Sequence, residues 1–125
     1  MTPHELVSVA RACRTNSHVP YSRFRAGAAV LTLGGDTVPG VIVENVSLGL
    51  AMCAERVALF STVARGATPQ ALALVAPRTG TDLTWPCGAC LQVAVELGGR
   101  DLPVYASSVA EDAPVSESTV ADLLP

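Results

Sequence analysis

Apolar and polar positions along this chain fall into blocks that switch between a helical and a strand period. Leu6, Val9, Ala10 and Cys13 recur at i, i+3, i+4 and i+7, one stripe of a helix. Ahead of them, Thr2-Pro3-His4-Glu5 fits a capping box with proline at the first helical position. The stretch from His18 to Phe24 carries Pro20 and polar residues and reads as a loop. Residues 26–33 predict a buried strand, Gly34-Gly35-Asp36 a hairpin turn, and Thr37 to Val46 the return strand. Gly40 inside that return implies a bulge or a close backbone approach.

A second helix is predicted over Met52 to Arg65, with Val57, Phe60 and Ala64 facing inward and Gly66 ending it. Ala71 to Val75 predicts a strand buried on both faces. A third helix begins near Cys87 and stops at Gly98-Gly99. Leu102 to Ala106 forms another strand, and Ser118 to Leu124 a short last helix. Strands that alternate with helices pair in parallel, whereas the opening hairpin is antiparallel. The expectation is an α/β chain, residues 1–125 in one domain, with a mixed sheet covered by helices.

Composition narrows the chemistry. At 125 residues, 50% hydrophobic and 15% charged, the chain suits one packed core and excludes disorder. Aromatics are only 4%, so Ala, Val and Leu must fill that core, and each aromatic at a polar boundary needs a reason. The net charge of −3 and the absence of a basic run argue against a nucleic acid polymer as partner. All eight cations are arginine. Without lysine there is no Schiff base, no pyridoxal phosphate attachment and no Walker-type phosphate loop. His4 and His18 are the only histidines, leaving few bases for a serine triad. No apolar stretch approaches the ~20 residues that span a bilayer, and the first residues are unlike a signal peptide. A soluble, cytoplasmic protein with no membrane partner is expected.

The four cysteines carry the strongest signal. Cys87 and Cys90 form Pro86-Cys87-Gly88-Ala89-Cys90 at a helix start, with Cys53 at the start of another and Cys13 on the first helix. A disulfide scaffold fits poorly with an ample core. A dithiol redox site leaves Cys53 without a role. A closed zinc site needs four protein ligands, and Cys13 could be the fourth, although its place on an apolar stripe suits a small buried side chain. Three thiolates with one open position is the catalytic alternative. Helix N-termini at Cys53 and Cys87 would lower thiol pKa values, and Arg56 could hydrogen-bond the sulfurs and withdraw charge. Its bland alternative is a solvated arginine. Glu55 points roughly 200° away from Cys53 around the helix, poor for a fourth ligand but suited to the side of an open position. Alone, a first-turn glutamate is dipole-compatible surface. Cys53-Ala54-Glu55 together with Pro-Cys-x-x-Cys is specific.

These motifs resemble those of the small, homotetrameric-type, zinc-dependent cytidine deaminases. Matching stretches are Pro20-Tyr21-Ser22-Arg23-Phe24, Gly27-Ala28-Ala29, Val43-Glu44-Asn45, Cys53-Ala54-Glu55-Arg56, Pro86-Cys87-Gly88-Ala89-Cys90 with Gln92-Val93, and the last six residues. The resemblance covers nearly the whole chain in order. It implies a three-layer α/β/α fold with a mixed five-stranded sheet, and one Zn²⁺ per chain on Cys53, Cys87 and Cys90. A zinc-activated water would attack C4 of a cytosine nucleoside while Glu55 carries protons to N3 and to the leaving ammonia. The backbone around Ala54 and Cys87 would stabilise the reacting group, Phe24 would pack against the base, and Glu44 would accept a ribose hydroxyl. Ordinary core packing for Phe24 and an exposed strand position for Glu44 are the alternatives. The resemblance also implies a homotetramer, with a homodimer as the alternative.

The sugar side departs from the family pattern. Ile42 stands where an asparagine usually bonds the sugar, Leu48 where a tyrosine is usual, and Leu91 where an arginine commonly follows the last ligand. Trp85 is bulkier than the usual residue, reshaping the pocket or simply packing. The chain ends at Pro125 where relatives carry a phenylalanine-bearing tail. Cytidine or deoxycytidine is the expected substrate. A modified cytosine nucleoside, a nucleoside antibiotic or another amino-heterocycle is the alternative that these changes raise.

Overall fold

A computed structural model describes residues 1–125. The first helix, α1 (Pro3–Cys13), begins with the expected capping box: the Glu5 amide donates to Thr2 Oγ1 at 3.2 Å, and the Thr2 amide to Glu5 Oε1 at 2.9 Å. Then follow β1 (Gly27–Thr32), β2 (Thr37–Val41), α2 (Ala54–Ala64), β3 (Pro69–Val75), α3 (Gly88–Gly98), β4 (Pro103–Ser107), β5 (Ser116–Thr119) and α4 (Val120–Leu123). The five strands form one sheet in the order β2-β1-β3-β4-β5. Only β3 and β4 run parallel; the β1–β2, β1–β3 and β4–β5 pairs are antiparallel. No helix is long and apolar enough to cross a membrane.

Side-chain alternation divides the sheet into two faces. Ala28, Val30, Leu72, Leu74 and Val104 pack with Ala54, Ala58 and Leu59 of α2 and Ala94 of α3. Their neighbours Ala29, Ala71, Ala73 and Val75 meet Leu6, Val7 and Ala10 of α1. The result is a three-layer α/β/α arrangement built almost wholly from small and aliphatic side chains, as the scarcity of aromatics requires.

Three expectations need correction. The return strand ends at Val41, short of Val46. Beyond it the backbone leaves the sheet, and Val43 makes only isolated bridges to His18 and Met52. In α2 the inward residues are Ala54, Glu55, Ala58, Leu59 and Thr62, whereas Phe60 is 46% exposed, Ala64 is exposed and Val57 is half-buried. Against Gly40 the helix sets only Ala54 and Ala58, because β2 comes too near there for more: a Cβ on Gly40 would sit 2.4 Å from the Ala58 amide nitrogen. A close approach, not a bulge, explains that glycine. Finally, Ser116–Thr119 is a strand where the apolar pattern gave no signal, and the last helix starts only at Val120.

Candidate metal centre and active site

Two helix starts bring the sulfurs together. Cys53 is the N-cap of α2 and Cys87 that of α3, both in extended conformation, and neither side chain caps its own helix. Their sulfurs are therefore free to point elsewhere. Cys90 lies one turn into α3 and is buried. The sulfur atoms of Cys53, Cys87 and Cys90 all lie within 4.8 Å of one another, with the Cys87 thiol 3.5 Å from Cys90 Sγ. All four cysteines are free thiols. Cys13 stands apart, its thiol directed at the carbonyls of Ala10 (3.3 Å), Gly40 (3.4 Å) and Ala28 (3.7 Å). It is a packed side chain of α1 and not a fourth ligand.

The electrostatics of the cluster call for a cation. A hydrogen bond from Cys90 pulls the Cys53 thiol down to about 5, and Arg56 reinforces the shift against the cost of burial. Cys90 moves the other way, because the bond to Cys53 and burial both hold its proton. Three sulfurs in this space cannot all ionise unless positive charge is added. The Arg56 guanidinium donates to Cys53 Sγ at 3.4 Å and so supplies part of it. Three soft sulfur donors with a fourth position left open fit Zn²⁺ in a catalytic arrangement.

Glu55 is 5% exposed and outside the sulfur cluster. Burial pushes its carboxyl up to about 7; its own backbone amide opposes the shift and the charge on Cys53 adds to it. A group poised there can both take and release a proton near neutral pH. With Cys53 and Cys87 it lines a cavity of about 130 Å³ whose other walls include Phe24, Ile42, Ala54 and Trp85. That volume admits one small ring and is far below the roughly 300–1,000 Å³ typical of drug-sized pockets. Larger concavities lie along α1, beside Arg11 and Arg14, and between α2 and α3, beside Phe60 and Val63. Neither contains a cluster of metal-ligating side chains.

The sequence model described as "Cytidine and deoxycytidylate deaminase zinc-binding region" matches residues 1–106. The chain belongs to this deaminase family. A cytidine deaminase of Halalkalibacterium halodurans is 41% identical over 120 residues, 96% of this chain and 89% of that protein. One from Sporosarcina psychrophila is 39% identical over 126 residues, covering 100% and 90%. Among solved structures, the cytidine deaminase of Burkholderia pseudomallei superposes with a TM-score of 0.91 at 43% identity, over 100% of this chain and 98% of that one.

Within this deaminase-family chain the structure groups Cys53, Cys87, Cys90, Glu55, Arg56, Ala54, Phe24, Ile42 and Trp85. Trp85 packs against the core and also lines the cavity. Glu44 is different. It does not line the cavity, and its carboxylate is turned to the loop before β1. There Oε1 accepts the amides of Tyr21 (3.1 Å) and Ser22 (3.2 Å), and Oε2 accepts the Ser22 hydroxyl. That hydroxyl bond is the main reason the carboxyl stays below its usual range. Leu91 is buried and Leu48 is 86% exposed. Ser22 and Thr84 are polar residues of this region to which sequence reasoning gave no role. For Ser22 a signal existed: a serine two places before Phe24 is the pattern of a side-chain turn. Thr84, whose hydroxyl donates to the Pro77 carbonyl at 2.6 Å, offered none.

Proposed function

We propose that residues 1–125 act as one zinc-dependent hydrolytic deaminase domain, converting cytidine or deoxycytidine and water to uridine or deoxyuridine and ammonia. The observation that carries this reading is the buried Glu55 beside three convergent sulfurs at the end of a ring-sized apolar cavity. Cys53, Cys87 and Cys90 would hold the ion, and Arg56 draws charge from the Cys53 sulfur. Bound zinc supplies a Lewis acid that makes water nucleophilic at neutral pH. Glu55 takes the proton released from that water and delivers it to N3. It then assists departure of the amino group as the C4–N bond breaks and the C4 carbonyl forms. Phe24, Ile42, Ala54 and Trp85 exclude solvent and hold the base flat against the protein.

Protein purified without added metal should carry one zinc per chain and reduce the absorbance of cytidine as ammonia appears. Stripping with a chelator should abolish the reaction, and zinc alone should restore it. Two zincs per chain, or cytidine turnover that survives complete removal of metal, overturns the reading.

Ile42 favours a second reading on the sugar side, namely a modified cytosine nucleoside, a nucleoside antibiotic or another amino-heterocycle. An aliphatic side chain cannot pair with a hydroxyl, and leaving one unpaired costs roughly 1–3 kcal/mol. Ile42→Asn should therefore raise kcat/KM for cytidine by about tenfold, with cytosine little affected. Equal efficiency of the variant and the parent toward cytidine would remove sugar recognition from this position.

The same reading includes a cytoplasmic homotetramer. Phe60 and Val63 are 46% and 52% exposed beside an apolar groove on α2 and α3, and Val46, Leu48 and Leu50 are 80%, 86% and 68% exposed. Side chains of this kind are stabilised by a covering partner.

A further inference from the structure

Three features of the loop between α1 and β1 converge on one serine. Its hydroxyl donates to Glu44 Oε2, and its amide, with that of Tyr21, donates to Oε1. The same Ser22 Oγ accepts the Phe24 amide at 3.0 Å. Between them, Arg23 holds a φ of 61°, a left-handed conformation that residues other than glycine adopt only where neighbours enforce it. The hydrogen bonds thus run in series, from the Phe24 amide to the serine oxygen and from the serine hydrogen to a carboxylate. Donation to an anion makes the hydroxyl oxygen a better acceptor, so each bond strengthens the next.

We propose that Ser22 is a positioning residue: anchored on Glu44, it fixes the backbone of Phe24 and with it the ring that walls the base cavity. This rests on the cytosine-nucleoside reading above. Ser22 is exposed and adds nothing to core burial, so its effect passes through Phe24, whose ring packs against the core beside Ile42 and Trp85. The assignment also limits Glu44. A carboxylate has about four acceptor positions, and the loop already takes three, two amides and one hydroxyl. One remains for a sugar hydroxyl, and Ile42 contributes none. Recognition is therefore concentrated on the base, and the loop that frames the base is held by the carboxylate that the sugar would otherwise engage.

The test compares Ser22→Ala and Ser22→Thr, each in the parent and in a Phe24→Ala background. Ser22→Ala should raise KM for cytidine about three- to tenfold with kcat within about twofold, and Ser22→Thr should restore the parent value. In the Phe24→Ala background, Ser22→Ala should change KM by less than about twofold, because the effect has lost its carrier. Hydrogen exchange at the Phe24 amide should quicken roughly tenfold in Ser22→Ala and return to the parent rate in Ser22→Thr. Unchanged exchange at Phe24, a KM effect that persists in full without the ring, or a threonine as damaging as alanine overturns the proposal. Exchange is read without substrate. A parent protein that deaminates no cytosine nucleoside would refute the functional reading and leave the exchange result to decide the role of Ser22.

Discussion

Glu55→Gln will lower kcat for cytidine on the order of a thousandfold while one zinc per chain stays bound. Glutamine keeps the shape and the hydrogen-bonding edge of the side chain but cannot collect a proton and pass it on. The position demands that ability, because Glu55 is 5% exposed, faces the ring-sized cavity and has its carboxyl raised by burial to about 7. Metal retention follows from the sulfur cluster, which is complete without the carboxylate. The variant should also melt within a few degrees of the parent, since a buried amide is less costly to dehydrate than a buried carboxylate. Steady-state rates, zinc content and a melting curve on the same preparation check all three. A rate loss below tenfold would assign proton transfer elsewhere, and loss of zinc would place Glu55 among the ligands.

Gly40→Ala will push the sheet and the helix that carries the site apart. The added carbon would lie 2.4 Å from the Ala58 nitrogen and 2.6 Å from the Ala54 carbonyl oxygen, both backbone atoms of α2. Neither can rotate away, so the helix must shift as a body. Overpacking of this kind costs roughly 1–3 kcal/mol, which for a chain of this size lowers the melting temperature by about 4–11 °C. The shift also carries Cys53 and Glu55 with it, since Cys53 is the N-cap of α2 and Glu55 lies in its first turn. Zinc affinity and turnover should therefore fall together with stability. Gly49→Ala is the control: a carbon there meets nothing within 4 Å, and its melting temperature should match the parent. A Gly40→Ala protein as stable as that control would mean that α2 is not held against β2 as described.

Which features were legible in the sequence follows a physical division. Residues with short-range consequences could be read directly. The Thr2–Glu5 box, the Gly34-Gly35-Asp36 turn and the cysteines at two helix starts depend on neighbours within a few positions. Tertiary consequences were less accessible. Phe60 has the hydrophobicity of a core residue, yet it faces outward, while Ala54 and Ala58 take the side of α2 against the bare backbone of Gly40. β5 has the composition Ser-Glu-Ser-Thr and exists because β4 offers it an open edge. Within the site, Cys53, Glu55, Cys87 and Cys90 were legible as motifs, but the tie from Glu44 through Ser22 to Phe24 joins residues 22 positions apart. A loop conformation with Arg23 left-handed has no counterpart in hydrophobic periodicity.

The two outermost strands limit how copies of this protein can meet. β2 borders the sheet on one side and contains the exposed Pro39, which brings no amide hydrogen to a neighbouring chain. On the opposite margin β5 is only four residues long and has an exposed glutamate at its centre. Both are recognised guards against strand-to-strand docking. The fibril-like route to self-association is thereby discouraged, and the proposed homotetramer would have to form through the helical flank, where it can close on itself and stop.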